Sequence, residues 1–467
     1  MDTQDTLRTR LETFLPPLQI LQDAESLAFY GRDWIKDFTP NPTLIVLPES
    51  AEEVQKVILL CNELNVALVP SGGRTGLSGG ATATNGEVII SLERMRRVLD
   101  INRTDRTIRV EAGVVLERIQ QEAATHDLYF PVDFSSRGSA QIGGNIATNA
   151  GGIRVIRYGN IRESVLGLKV ITGSGDFLEL NGSLFKNNTG YDLRSLFIGS
   201  EGTLGIIVEA TLKLQSPPRD TARILCGLAD NSGVLPLLTY CRDSLRDLSA
   251  FEFIDHSAYE EVITHRSLRD PFNTRYPAYV LVEVELPSDD SQAAVFEIFG
   301  AAYESGLVQD IVVSESRQQA QELMNIRDLI SETLSQRYTL HKNDISVPVP
   351  AIPAFLADLH ASIAQAYPHF KVVVFGHVGD GNLHVNVLKP KELSDKDFWD
   401  GCHQADHIIF SLIKTYKGSI SAEHGVGLLK RDFLHYTRSE TEIALLRSIK
   451  RVFDPAGIMN PGKVIPG

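Results

Sequence analysis

Residues 70–80 read PSGGRTGLSGG, so five of these eleven positions are glycine. Glycine lacks a Cβ atom, and a glycine-rich run lets backbone N–H groups converge closely enough to bind an anion. The residues before this loop predict a β-α-β unit, because the apolar runs 44–47 and 67–69 flank a helical pattern that Ser50 can cap. A loop of this kind after a predicted strand is suited to a pyrophosphate.

Two further tracts combine glycine with small polar residues, 141–152 (QIGGNIATNAGG) and 199–207 (GSEGTLGII). Their side-chain amides and hydroxyls can serve a flat polar ligand as donors and acceptors. Each tract alone could be a series of tight turns, whereas three in one chain favour a ligand site. The chain has no G-x-G-x-x-G between a predicted strand and a predicted helix, which argues against a Rossmann NAD site.

A hairpin is predicted around residues 376–386, which read GHVGDGNLHVN and follow the β-branched run 372–375. The alternation that starts at His384 predicts a second strand, and the Gly-Asp-Gly between the two strands is turn chemistry. His377 and His384 then lie at the mouth of the hairpin, where paired residues have Cβ atoms about 4.5–5.5 Å apart. We expect these two imidazoles to share one metal ion.

A carboxylate that could complete this metal site occurs downstream, at Glu423. Two His and one Glu leave the fourth position open, which is typical of a catalytic zinc site, although the same ligands suit a non-heme ferrous ion. Asn386 shares a strand face with His384 and can reach whatever the ion binds. His424 is a candidate for proton transfer. Two His near a turn are often ordinary strand-end residues, and it is Glu423-His424 that favours the metal site.

A carboxylate-binding group is predicted on the helical pattern of residues 322–334, where Arg327 and Ser331 are spaced i and i+4 on one face. A guanidinium offers a fork that fits a carboxylate, and a nearby hydroxyl adds a donor. Lys342 could complete the group. The alternative is an exposed helix with scattered charge, which is the usual reading of an isolated arginine.

Composition restricts the classes of partner. The 467 residues include 45 Lys and Arg against 59 Asp and Glu, a net charge of −14, which argues against nucleic acid or an anionic membrane. The four cysteines show no C-x-x-C spacing, which fits a reducing compartment. Without a signal pattern or an apolar run of about 18 residues, we expect a cytoplasmic protein with no integral membrane association.

Together these motifs resemble the FAD-binding domain of the vanillyl-alcohol oxidase type of flavoprotein, and the C-terminal half looks like the cap of its D-2-hydroxy-acid dehydrogenase branch. The resemblance covers nearly the whole chain and implies an α+β fold with a two-part FAD-binding domain. The expected divisions are a helical lead-in (1–36), the FAD-binding domain (37–217), the substrate or cap domain (218–417) and a C-terminal segment that completes the active site (418–467).

The resemblance also implies roles for individual residues. It places twelve residues around FAD: Ser71, Gly72, Gly73, Arg74, Thr75, Gly76, Gly143, Gly144, Thr148, Asn149, Glu201 and Ile207. Some relatives attach FAD covalently through a His in the first loop; Arg74 cannot make that bond, so non-covalent FAD is expected. Members that oxidise D-2-hydroxyglutarate bind the substrate carboxylate with a matching Arg, Thr and Lys, and Ser331 departs from that pattern while keeping the hydroxyl.

The expected activity is the metal-assisted oxidation of a D-2-hydroxy acid, with hydride transfer to FAD and His424 as the base. D-2-hydroxyglutarate is the expected substrate, and D-lactate, D-malate and glycolate are the alternatives within the family. An electron-transferring flavoprotein or a quinone is the expected electron acceptor, and a homodimer is compatible with the sequence. From other classes, a zinc hydrolase in which the glycine tracts are turns and a catalytically silent FAD-binding protein are the alternatives.

Overall fold

The computed structural model describes residues 3–288 and 290–466 and divides into two compact units. Unit 1 comprises Met1–Gly151, Gly159–Pro217 and Glu423–Gly467, and unit 2 comprises Gly152–Tyr158 and Pro218–Ala422. Unit 1 is therefore built from three separate stretches of chain. Within the described residues, no helix is both long enough and apolar enough to cross a membrane.

The strands, in chain order, are β1 (Ile20–Leu21), β2 (Leu44–Val46), β3 (Leu68–Ser71), β4 (Val88–Ser91), β5 (Val98–Asn102), β6 (Thr107–Glu111), β7 (Val165–Thr172), β8 (Phe177–Leu180), β9 (Gly205–Lys213), β10 (Asp220–Leu228), β11 (Leu248–Asp255), β12 (Ala278–Leu286), β13 (Asp310–Val313), β14 (Leu340–Ser346), β15 (Lys371–Gly376) and β16 (Asn382–Leu388).

The α-helices are α1 (Thr3–Leu11), α2 (Ala24–Tyr30), α3 (Ala51–Leu64), α4 (Leu116–Ala124), α5 (Ile142–Ala147), α6 (Val155–Tyr158), α7 (Ile161–Ser164), α8 (Arg194–Phe197), α9 (Val234–Ser244), α10 (His256–His265), α11 (Ser291–Glu304), α12 (Arg317–Asp328), α13 (Ile330–Arg337), α14 (Ile352–Ala366), α15 (Asp395–Thr415) and α16 (Glu440–Phe453). Short 3-10 helices span Pro17–Gln19, Asn231–Gly233, Val349–Ala351 and Arg431–Tyr436.

Unit 1 contains a four-stranded sheet of order β1-β2-β4-β3 and a five-stranded antiparallel sheet of order β5-β6-β9-β7-β8. The predicted β-α-β unit is confirmed: β2 and β3 both run parallel to β4, and Ser50 caps α3 by accepting a hydrogen bond from the N–H of Glu53 through its hydroxyl. The lead-in is not wholly helical, because β1 adds an antiparallel edge strand to β2.

The end of the chain is part of the unit 1 core. Leu68 pairs in a parallel bridge with Met459, and the N–H of Asn460 donates to the carbonyl of Leu68 at 2.7 Å. The ammonium of Lys450 donates to the carbonyls of Thr203 and Met459 at 2.8 and 2.7 Å. The last segment is thereby fixed against the strand that leads into the glycine-rich loop.

Unit 2 is built on a seven-stranded antiparallel sheet of order β13-β10-β12-β11-β15-β16-β14. The predicted hairpin is confirmed, since β15 pairs with β16 and Phe375 lies opposite His384. Gly381 has a φ of +93°, and a Cβ atom there would lie 2.4 Å from the carbonyl oxygen of Val347. The tight turn therefore requires glycine at this position.

The helical pattern of 322–334 is divided between two helices. α12 ends at Asp328 and α13 begins at Ile330, with Leu329 between them. The apolar positions of both helices, such as Leu323 and Leu334, are buried against the same sheet of unit 2. The four cysteines are buried free thiols.

Candidate active site

A cleft in unit 1 encloses about 940 Å³, part of it open to solvent. Its lining includes eleven of the twelve residues expected around FAD, from the glycine-rich loop, the tract at Gly143 and the region of Glu201. Asn149, the twelfth, does not line the cleft; its side-chain oxygen accepts a hydrogen bond from the N–H of Arg162 at 3.3 Å.

Close backbone contacts shape this cleft. A Cβ atom on Gly73 would lie 2.1 Å from the carbonyl oxygen of Ser139, so a larger residue would separate the two loops. The guanidinium of Arg74 lies over the rings of Phe29 and Tyr30, with its Cζ atom 4.3 and 4.7 Å from their centroids. These contacts fix the loop that carries most of the expected pyrophosphate donors.

Five polar atoms in the cleft lining are buried and have no hydrogen-bond partner among the described residues: Asp33 Oδ2, Ser71 Oγ, Arg74 Nη1, Gln141 Oε1 and Asn145 Oδ1. Buried polar atoms in native proteins normally have partners. FAD carries phosphate oxygens that accept hydrogen bonds and hydroxyl and imide groups that donate them, so the donor and acceptor set of this cleft fits FAD.

Two buried carboxyl groups face the cleft. Burial raises the pKa of Asp33 to about 6, and its Oδ1 atom accepts hydrogen bonds from the N–H of Ile35 and the hydroxyl of Thr82. Burial likewise raises the pKa of Glu201 to about 7, although Glu201 accepts two backbone N–H bonds, which oppose that shift.

The backbone that binds Glu201 belongs to the segment carrying two predicted site residues. The N–H groups of Val426 and Gly427 donate to the Glu201 carboxylate at 2.7 and 2.8 Å. Glu423 and His424 lie one residue before these donors, with Gly425 between, and are half-buried, with 3.8 Å between His424 Nε2 and Glu423 Oε1. Within unit 1, the predicted base His424 and the predicted metal ligand Glu423 therefore lie close in sequence to the backbone N–H groups that bind Glu201, a residue of the cleft lining.

The two predicted imidazole ligands lie together in unit 2, with ring centroids 5.3 Å apart. His377 Nδ1 is 2.7 Å from Glu252 Oε1. Because a carboxylate accepts hydrogen bonds, this contact favours the tautomer of His377 with the proton on Nδ1 and the lone pair on Nε2. That nitrogen is the one a metal ion would use.

A second carboxylate, that of Asp344, lies beside His384, with 3.6 Å between Oδ1 and Nδ1. A carboxylate and an imidazole this close can both contribute ligands to one divalent cation. Asn382 donates to Asp344 Oδ1 at 2.8 Å, and the N–H of Ala422 donates to Asp344 Oδ2 at 3.1 Å. Asp344 is thus held by its neighbours in unit 2.

Two of the predicted substrate residues, Lys342 and Asn386, share a sheet face with His384. Lys342 pairs with Asn386 and Asp344 pairs with His384, and directly paired residues lie on one face. The Lys342 ammonium donates to the hydroxyls of Ser331 and Ser335 at 3.3 and 3.0 Å. The side-chain amide of Asn386 is buried and donates to the carbonyls of Val373 and His384.

Arg327 reaches the same face from α12. Its Nε atom donates to Glu252 Oε2 at 2.7 Å, and its guanidinium lies over Phe375, with 4.8 Å from Cζ to the ring centroid. The structure therefore places Arg327 with Glu252 and His377, and it places Ser331 with Lys342. A contact between Arg327 and Ser331, the pair that helical spacing suggests, is not among the hydrogen bonds of the described chain.

Sequence reasoning missed Asp33, Glu252 and Asp344, whereas Gln141 and Asn145 belong to the tract 141–152 that was expected to serve a flat polar ligand but were not among the twelve residues named for FAD. Glu252 and Asp344 are acidic residues inside the strands β11 and β14, and because buried charges need partners, each could have been recognised only once its strand was known.

Comparisons with known protein families agree with a cleft that binds FAD. Residues 42–181 match the model of the FAD binding domain, and residues 217–464 match the model of the C-terminal domain of FAD linked oxidases. p-Cresol methylhydroxylase has a similar fold, with a TM-score of 0.79 at 15% identity over 100% of this chain and 98% of that one. Fold and cleft together define a flavoprotein of the FAD-linked oxidase class, as the resemblance to the vanillyl-alcohol oxidase type predicts.

Curated relatives identify one family within this class of flavoproteins. A D-2-hydroxyglutarate dehydrogenase of Stutzerimonas stutzeri is 49% identical over 99% of both chains, and one of Xanthomonas citri pv. viticola is 51% identical over 97% of this chain and 96% of its own length. The chain belongs to the D-2-hydroxyglutarate dehydrogenase family. The predicted fold class and the prediction of a FAD-dependent D-2-hydroxy-acid dehydrogenase are thereby confirmed, and the hydrolase alternative, which treats the glycine tracts as turns, is wrong.

Proposed function

We propose that the protein oxidises D-2-hydroxyglutarate to 2-oxoglutarate, with bound FAD as the hydride acceptor. The observation that carries this proposal is the arrangement on one sheet face of unit 2, where imidazoles suited to a metal ion lie beside a buried guanidinium and an ammonium. A monocarboxylate such as D-lactate has no second anionic group for the two cations. The names of the relatives at 49% and 51% identity point to the same substrate.

Arg327 and Lys342 would bind the substrate carboxylate that lies farther from C2, the carbon that is oxidised. The Nε atom of Arg327 is used by Glu252, which leaves both Nη groups for an anion. Lys342 brings an ammonium that already contacts the hydroxyl of Ser331. Because Arg327 is buried, its charged hydrogen bonds to a carboxylate should be stronger than those of an exposed arginine.

His377, His384 and Glu423 would hold a divalent ion, with His377 using Nε2. When bound, the ion would supply Lewis acidity at the 2-hydroxyl, and FAD, held by the residues that line the cleft, would supply a hydride acceptor for C2. His424 would take the proton of that hydroxyl, so the substrate loses one hydride and one proton. Asn386, on the face of His384, would orient the C1 carboxylate or the hydroxyl.

Several finer assignments belong to this proposal. Zinc is the expected ion, and the flavin is expected to be non-covalent because Arg74 stands where some relatives have a linking His. An electron-transferring flavoprotein or a quinone would reoxidise the flavin. We also retain the cytoplasm as the proposed compartment and a homodimer as the proposed assembly.

The test is a comparison of kcat/KM for D-2-hydroxyglutarate, D-malate, D-lactate and glycolate, with an artificial dye as electron acceptor. D-2-hydroxyglutarate should give the highest value, and D-malate, shorter by one methylene, should be a poorer substrate. A higher value for D-lactate than for D-2-hydroxyglutarate would favour the alternative activity within the family.

A further inference from the structure

One buried carboxylate joins the two halves of the predicted substrate site. Glu252 is 0% exposed, and each of its oxygens has a cationic or imidazole partner at 2.7 Å: Arg327 Nε at Oε2 and His377 Nδ1 at Oε1. All three residues belong to unit 2. The guanidinium proposed to bind substrate and the imidazole proposed to bind metal therefore depend on the same side chain.

The sheet sets the position of this carboxylate. Phe253 on β11 pairs with Gly376 on β15, so Glu252 and His377 each lie one residue beyond a paired position, where antiparallel strands place them opposite one another. Arg327 comes from α12, whose helix is buried against the same sheet through Met324 and Ile326. The bridge thus connects a strand, a hairpin end and a helix.

The guanidinium of Arg327, with Nε 2.7 Å from Oε2, favours an ionised Glu252. An anionic carboxylate needs donors on both oxygens, and it obtains one from each partner. As a result, Arg327 uses Nε to donate to Glu252, and His377 keeps its proton on Nδ1.

We propose that Glu252 is a positioning residue that couples carboxylate binding to metal binding: through one carboxylate it orients Arg327 towards the distal carboxylate and fixes His377 in the tautomer that offers Nε2 to the ion. The inference rests on the proposed function. A glutamine at this position could accept from one partner but would present an N–H₂ group to the other. Glu252→Gln should therefore disturb both partners.

The experiment measures zinc affinity by chelator competition and the separate values of kcat and KM for D-2-hydroxyglutarate and D-lactate. For Glu252→Gln we expect zinc to bind roughly 10–100-fold more weakly, which is the usual effect of losing a carboxylate behind a ligating His. At saturating zinc, we expect KM for D-2-hydroxyglutarate to rise about tenfold, with a much smaller rise for D-lactate.

Glu283→Gln is the matched control. Glu283 lies on the neighbouring strand β12, is also 0% exposed, and forms ion pairs with two arginines, Arg154 and Arg223. This variant should keep zinc affinity and both KM values within about twofold of the wild type. Equal effects in the two variants would reduce Glu252 to a structural buried charge and overturn the proposal.

Loss of only zinc affinity, or of only D-2-hydroxyglutarate binding, would overturn the coupling. If Glu252→Gln does not fold, Glu252→Asp, which keeps both acceptor oxygens on a shorter side chain, replaces it; wild-type zinc affinity and KM in that variant would also overturn the proposal. The zinc measurement needs no substrate. If the wild-type enzyme does not oxidise D-2-hydroxyglutarate, the proposed function and the role of Glu252 in orienting Arg327 are both refuted. The role of Glu252 in fixing His377 is tested separately, by the zinc affinity.

Discussion

Arg327→Ala should distinguish a diacid substrate from a monoacid one. Arg327 is 6% exposed, and its Nη groups are the donors that Glu252 leaves for an anion. Hydrogen bonds to charged groups contribute about 1.5–3 kcal/mol each, and about 1.4 kcal/mol corresponds to a factor of ten. Loss of the contact should lower kcat/KM for D-2-hydroxyglutarate by roughly tenfold to a few hundredfold. For D-lactate the loss should stay below about threefold.

The assay follows reduction of a dye acceptor under initial-rate conditions with both substrates. Arg223→Ala is the control, because Arg223 is also buried, also pairs with a buried glutamate, and also contacts α12, through the carbonyl of Ala320 at 3.0 Å. Its kcat/KM should stay near wild type for both substrates. Equal losses for the two substrates in Arg327→Ala would refute the reasoning, because Arg327 would then bind the C1 carboxylate that both acids share.

Three further outcomes are expected. Chelation should abolish turnover while FAD stays bound, and full activity in metal-free enzyme would contradict the metal site. Acid or heat precipitation should release all of the flavin, and colour left on the protein would contradict the non-covalent assignment. Burial raises the pKa of Asp33 from 3.8 to about 6, so the folded state binds this proton more tightly than the unfolded state, and the stability that Asp33 contributes at low pH is lost as the pH rises from about 4 to 6. In FAD-free protein, Asp33→Asn should therefore raise the free energy of unfolding at pH 8 by at most about 3 kcal/mol relative to the wild type. Urea unfolding at pH 4 should show little difference between the two proteins. The same difference at both pH values would contradict the raised pKa of Asp33.

Local patterns predicted the parts of the site that are local in the chain. The hairpin with His377 and His384 follows from a β-branched run, a glycine turn and an alternating strand, and all three signals lie within residues 372–387. The glycine-rich loop is similar, because its conformational freedom is a property of the loop residues themselves.

Other features depend on contacts between distant residues. Glu252 meets Arg327 and His377 across 75 and 125 positions of sequence, and no spacing rule connects them. Asp33 lies in a lead-in that the sequence suggests is a separate helical segment, yet it lines the flavin cleft. The break at Leu329 was also missed, because the periodicity of apolar residues continues across it.

The pairing of Leu68 with Met459 has a consequence for synthesis on the ribosome. The β3 strand is translated early, but the chain that pairs with it emerges almost 400 residues later. All of unit 2 is translated before that partner, so unit 2 can fold while unit 1 still lacks part of its core. A chain that ends at residue 422 and has been released from the ribosome should therefore contain a protease-resistant unit 2 and should retain no flavin.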